Sequence, residues 1–182
     1  MYNYVFYIGL VGAVILVLGA AAPDKKVSHP TKSLKNWLLA LGGVFMLVYS
    51  SLNYMNGGPV FFVFLQGLVN VASLLMMLNV SDKIDVPVIG LSALSLIVWA
   101  LFLFEGYNTV FFILGLAGIG LGYAMDGATF RRNVALLLGS ILIALFSYLE
   151  KSWIFFWLNV FFALFSAYYT WKFFSGGKLR KA

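Results

Sequence analysis

The chain has 182 residues, of which 63% are hydrophobic and 10% charged, with a net charge of +6 and no cysteine. Crossing a hydrocarbon core of roughly 30 Å takes about 20 helical residues, so this composition leaves no length for a soluble catalytic domain and reads as one integral membrane domain, 1–182. The absence of cysteine excludes disulfides, thiolate metal sites and cysteine nucleophiles.

Seven apolar stretches follow one another. The first, 4–22, opens on Val5-Phe6-Tyr7-Ile8; it has no basic flank before it and is longer than a secretory signal core, so it reads as a mature helix. The loop after it carries Lys25, Lys26, Lys32 and the single His29. A lone loop histidine reads as solvated, because a metal site needs several ligands, and no cofactor is expected. The second stretch, 34–54, starts Lys35-Asn36-Trp37, passes Gly42-Gly43 and ends Tyr49-Ser50-Ser51-Leu52. Asn56-Gly57-Gly58-Pro59 marks the turn into the third, 59–79, which carries Gln66, Asn70 and Ser73. The fourth, 86–104, holds Ser92, Ser95 and Trp99; the fifth, 109–126, opens on Val110-Phe111-Phe112-Ile113 and holds Gly115, Gly118, Gly120 and Gly122. The Gly118/Gly122 spacing predicts close helix packing. The sixth, 132–149, runs from Arg132-Asn133 through Gly139-Ser140 to Phe146-Ser147-Tyr148-Leu149, and the seventh, 153–174, carries Trp157, Asn159, Ser166 and Trp171. Pro23, Pro30, Pro59 and Pro87 are all expected at helix ends, where the missing backbone donor costs least.

Lys and Arg near helix ends are retained on the cytoplasmic side. Lys25, Lys26, Lys32 and Lys35, then Lys83, then Arg131 and Arg132, then Lys172, Lys178, Arg180 and Lys181 all fall on one side of a seven-crossing chain, and only Lys151 on the other. This places the N-terminus outside and the C-terminus in the cytoplasm. It also explains the positive charge without a nucleic-acid partner; membrane lipids are the expected surroundings, in a multi-pass protein of a prokaryotic cytoplasmic membrane.

Parts of the pattern recur. Lys35-Asn36 to Leu52 returns as Arg132-Asn133 to Leu149 with Gly and Ser at the same spacing; Val5–Ile8 is echoed by Val110–Ile113, Phe64-Leu65-Gln66 by Trp157-Leu158-Asn159, and Ser73 by Ser166. Two three-helix copies are expected, 4–79 and 109–174, and the fourth helix, 86–104, is an unmatched linker that restores the direction of the second copy. That is a 3+1+3 all-α membrane protein with parallel repeats.

Polar groups inside hydrocarbon need partners. Gln66, Asn70 and Ser73 share one helix face, Asn159 and Ser166 the equivalent face of the last helix. Their amides suit a small polar substrate, with Trp157 or Trp99 as a stacking surface; the competing reading is that they hold helices together. Asn36 and Asn133, each beside a basic residue at a helix start, are expected to be N-caps. Every Asp and Glu falls in a loop or at a helix end, which disfavours ion-coupled pumping and leaves a retinal Schiff base without a counter-ion. No nucleophile, base or metal set lies together, so the chain does not read as an enzyme.

With two three-helix units and one linker helix, the chain resembles the SWEET and PQ-loop superfamily of solute facilitators. Its last helix, Asn159-Val160-Phe161-Phe162 followed by Ser166, Tyr168 and Trp171, is similar to the PnuC vitamin transporters. It departs from that pattern in Tyr168-Tyr169-Thr170-Trp171, where the family has Tyr-Gly-Trp, and in lacking proline in the first helix of each copy. The resemblance implies facilitated diffusion of a small neutral solute, a vitamin or nucleoside of the nicotinamide riboside class or, next, a sugar. Gln66, Asn70, Asn159, Ser73 and Ser166 would hydrogen-bond it and Trp157 or Trp99 would stack on it. A passive solute channel and a noncatalytic membrane partner protein are the alternatives, and a homo-oligomer is compatible with all three.

Overall fold

The computed structural model describes residues 3–22, 29–125 and 129–179, with side chains over 4–22, 29–125 and 129–175. Pro23, Asp24, Lys25, Lys26, Asp126, Arg180, Lys181 and the side chain of Lys178 lie outside the described residues. The fold is all-helical: α1 Asn3–Ala21, α2 Leu34–Met55, α3 Phe61–Met77, α4 Asp82–Phe102, α5 Tyr107–Ala124, α6 Phe130–Leu149 and α7 Trp153–Leu179, with a 3-10 turn at Pro30–Lys32. No strand occurs among the described residues.

Six of the helices are long and apolar enough to cross a membrane; α3, with 17 residues, is shorter. The reason lies in its surroundings. Ten of its residues are buried, more than in any other helix for which buried residues are given, so protein rather than lipid covers most of α3 and its length need not match the bilayer.

Each helix packs against its neighbour in sequence, α7 returns to α1, and α3 also touches α5. The result is a ring of α1, α2, α3, α5, α6 and α7, with α4 outside it against α3 and α5. Small residues set the closest crossings. A Cβ on Gly139 of α6 would lie 2.7 Å from the Ile119 backbone nitrogen and 3.0 Å from the Gly115 carbonyl oxygen of α5; one on Gly42 of α2 would lie 2.9 Å from the Leu16 nitrogen of α1. Gly118 and Gly122 meet α6 at Gly139 and Leu136, as their spacing predicted, whereas Gly120 faces Ala93 of α4.

Three local expectations need correction. α4 begins at Asp82, ahead of the expected start at 86, so Pro87 lies inside the helix. Asp82 and Asp85 in the first turn complement the positive end of the helix dipole and extend it past the proline. The caps of α2 and α6 are the hydroxyls of Ser33 and Thr129, which accept from the backbone N–H groups of Asn36 and Arg132. Asn36 instead donates its side-chain amide to the Pro30 carbonyl (3.1 Å), and Asn133 points into the cavity described below.

Candidate functional site

A cavity of about 210 Å³ lies inside the ring, between α3 and α7. Leu16 and Ala20 of α1, Leu39 of α2, Leu65 and Val69 of α3, and Leu158 and Phe162 of α7 contribute its apolar wall. Its polar groups are Gln66 and Ser73 of α3, Asn159 and Ser166 of α7, and Asn133 and Ser140 of α6. At the end formed by the starts of α2 and α6, Lys35 and Arg132 line it together with Tyr123 and Tyr169. The Lys35 Nζ stands 5.8 Å from the centre of the Tyr169 ring.

Gln66 is 3% exposed, and its Oε1 is buried with no hydrogen-bond partner; the same holds for Nε of Arg132. Asp85 Oδ1 in the first turn of α4 is likewise enclosed without a partner, away from the cavity. Asn159 is fixed from its own helix, its amide donating to the Phe155 carbonyl at 2.8 Å.

The cavity thus gathers Gln66, Ser73, Asn159 and Ser166. The other three residues named from the sequence stand elsewhere. Asn70 is buried against α2 and donates to the carbonyls of Gly43 (3.0 Å) and Gln66 (2.7 Å), as a helix-to-helix tie. Trp157 is 56% exposed on the outer face of α7. Trp99, 57% exposed, packs on Phe64 with ring centres 5.1 Å apart and borders a different recess. We expect Asn70→Leu to destabilise the protein by about 0.5–1.5 kcal/mol through the lost hydrogen bond between α3 and α2. It should leave the affinity of a cavity ligand within about twofold; thermal melting and binding to the same purified sample separate the two effects.

That second recess, about 850 Å³, lies at the opposite end of the ring and is lined by Asn53, Glu105, Glu150, Lys151 and Ser152 beside Trp99 and Trp153. Asn108 donates to Glu150 Oε1 there at 3.2 Å. Between recess and cavity stands a layer of buried rings. Phe62 and Phe155 stack face to face, centres 4.1 Å apart and planes within 3°. Phe146 touches Phe61, Phe62 and Phe112, and Tyr49 touches Phe155. Phe62 and Phe155 each lie one helical turn from an amide of the cavity, Gln66 and Asn159.

Sequence reasoning missed Lys35, Arg132, Asn133, Tyr123 and Tyr169 as cavity residues. The signal was present in the recurrence of Lys35-Asn36 as Arg132-Asn133, but topology and capping explained those residues without a site.

The Nδ1 of His29 lies 2.8 Å from the Thr31 hydroxyl, and no cluster of three or more metal-ligating side chains occurs among the described residues. The six long apolar helices define the class, a helical integral membrane protein. Comparison with protein-family models, curated proteins and solved structures finds no match.

Proposed function

We propose that this protein is a carrier that moves a small polar solute across the membrane by facilitated diffusion. The observation that carries the reading is the cavity between α3 and α7, which presents Gln66, Ser73, Asn159 and Ser166 in an otherwise apolar wall. It ends at a ring layer that separates it from the recess on the other side. A polar solute can be held there and cannot pass without rearrangement, which suits a carrier better than an open channel.

The proposed architecture is two parallel copies, α1–α3 and α5–α7, related by an axis along the membrane normal, with α4 as linker. Matching close approaches support it. Gly12 meets Met46 as Gly115 meets Ile143, Gly19 meets Leu39 as Gly122 meets Leu136, and Gly42 meets Leu16 as Gly139 meets Ile119. These contacts pair Gly12 with Gly115, a register shifted from the Val5/Val110 echo, which would pair Gly12 with Ala117. The Phe62/Phe155 stack joins two equivalent residues, as expected on such an axis, and Tyr49 on Phe155 mirrors Phe146 on Phe62. The basic end of the cavity is assigned to the cytoplasm, so this conformation is inward-facing. A solute of the vitamin or nucleoside class, as the PnuC resemblance implies, is the working substrate.

Gln66→Leu together with Asn159→Leu removes both amides at nearly constant volume. Uptake of the transported solute into proteoliposomes should fall by about 10²-fold or more, each lost hydrogen bond accounting for roughly tenfold, while the melting temperature stays close to wild type. Undiminished uptake by the double variant would remove the cavity from the transport path.

A further inference from the structure

We propose that α6 forms a third side of the binding site, with the Ser140 hydroxyl bonded directly to the solute and Asn133, two turns before it on the same helix face, bordering the same molecule. The inference rests on the carrier reading above and adds to the groups of α3 and α7 a contact that reading does not include.

Ser140 is 2% exposed and lines the cavity. A buried serine in a membrane helix commonly spends its hydroxyl on a carbonyl one turn back. Ser147 does so on the Ile143 carbonyl (2.7 Å) and Ser50 on that of Leu47 (2.9 Å). The Ser140 hydroxyl makes no such bond, nor any other among the described residues, and it is not one of the polar atoms that protein encloses completely. It therefore opens on the cavity with its donor and its acceptor both unused. In an otherwise apolar wall that state is costly, and a bound polar group removes the cost.

The other half of the proposed repeat shows that packing does not demand this arrangement. Ser140 corresponds there to Gly43 and Asn133 to Asn36, and neither of those residues lines the cavity. Asn36 is spent on the Pro30 carbonyl at 3.1 Å. The space over Gly43 is filled by Asn70, whose Oδ1 would lie 3.2 Å from a Cβ at that glycine and whose amide nitrogen donates to the Gly43 carbonyl. The counterpart of Asn70 is Ala163, which has no polar group to offer. In the first half the polar side chain comes from α3 and ties it to α2; in the second it comes from α6 and faces the cavity. Helix association accounts for the first arrangement and not for the second. A hydroxyl and an amide each donate and accept without charge, so the solute edge that meets α6 does both as well, as a hydroxyl or a carboxamide does.

The test uses the purified full chain, with nicotinamide riboside, nicotinamide, uridine and glucose as probes of equilibrium binding. For each probe that the wild-type protein binds, Ser140→Ala should raise the Kd about threefold to tenfold, the loss of one neutral hydrogen bond, at an unchanged melting temperature. Ser147→Ala should leave the Kd within about twofold whatever it does to melting. Because the chain has no cysteine, Ser140→Cys carries a single thiol. Methyl methanethiosulfonate should modify that thiol, and a saturating probe should slow the reaction about tenfold, whereas Ser147→Cys should stay unmodified. A thiol at position 140 that does not react, or that reacts equally with and without probe, overturns the proposal, and so does wild-type affinity in Ser140→Ala. If that happens while Gln66→Leu with Asn159→Leu still abolishes uptake, the carrier reading stands alone. If none of the four probes binds the wild-type chain, both readings fall.

Discussion

Replacing Gly139 should be the most damaging single substitution in the molecule, with Gly139→Leu giving no monodisperse folded protein after extraction. A Cβ at this position points at backbone, not side chains: the Ile119 nitrogen at 2.7 Å, the Gly115 oxygen and the Gly118 carbonyl carbon at 3.0 Å. A side chain could rotate away, but a backbone moves only if α5 and α6 separate. In lipid that separation has little apolar burial to offset it, because hydrocarbon tails are as apolar as the side chains they would meet, and close van der Waals contact is what holds such helices together. Even Gly139→Ala should lower stability by about 1–3 kcal/mol, roughly 2–12 °C in melting temperature for a chain of this size. Gly67 supplies the control. A Cβ there meets nothing within 4 Å, so Gly67→Ala should be neutral or stabilise α3 by about 0.5–1 kcal/mol. Equal melting of Gly139→Ala and wild type would mean that the α5–α6 crossing is looser than the structure has it.

The contrast between these glycines shows what the sequence made legible. Gly118 and Gly122 announced a close crossing by their spacing, yet Gly139, which receives Gly118, was visible only as part of a recurring segment. Helix positions were legible because lipid imposes length and apolarity on each crossing. Two caps were misjudged, at Asn36 and Asn133, because capping depends on one hydroxyl in extended backbone, at Ser33 and Thr129; apolar patterning reports neither those hydroxyls nor the Asp82–Asp85 turn that places Pro87 inside α4.

The site was half legible for a related reason. Period alone put Gln66 with Ser73 and Asn159 with Ser166, and those four share the cavity. Period could not say which helix covers which face. Trp157 corresponds in the proposed repeat to Phe64, which is 6% exposed because α4 packs over α3, whereas no linker helix covers α7 and Trp157 is 56% exposed. The unmatched helix therefore breaks the equivalence at the two tryptophans chosen as stacking surfaces. Asn70 was misleading in the opposite way, since its partner, the Gly43 carbonyl, belongs to another helix.

Thinning the ring layer should turn the proposed carrier into a leak. Phe62 and Phe155 are fully buried and stacked, and with Tyr49, Phe61, Phe112 and Phe146 they fill the space between the cavity and the Glu105/Glu150 recess. A polar solute crossing that layer gives up its hydrogen bonds without replacement, at several kcal/mol per group, so flux through the proposed carrier would depend on the layer parting. Phe62→Ala with Phe155→Ala should raise solute efflux from proteoliposomes about tenfold or more and make it nonsaturating. The double variant also removes two buried rings at about 3–5 kcal/mol each, so Phe62→Leu with Phe155→Leu, which retains most of the volume, is the accompanying measurement. It should fold and show a smaller leak of the same kind. A folded leucine pair with wild-type saturation kinetics, beside an alanine pair that does not leak, would show that the barrier lies elsewhere. Parting the stack changes a contact in which corresponding residues of the two proposed copies meet face to face. Any motion that opens the outer side must therefore move α3 relative to α7, the two helices that supply the amides of the cavity.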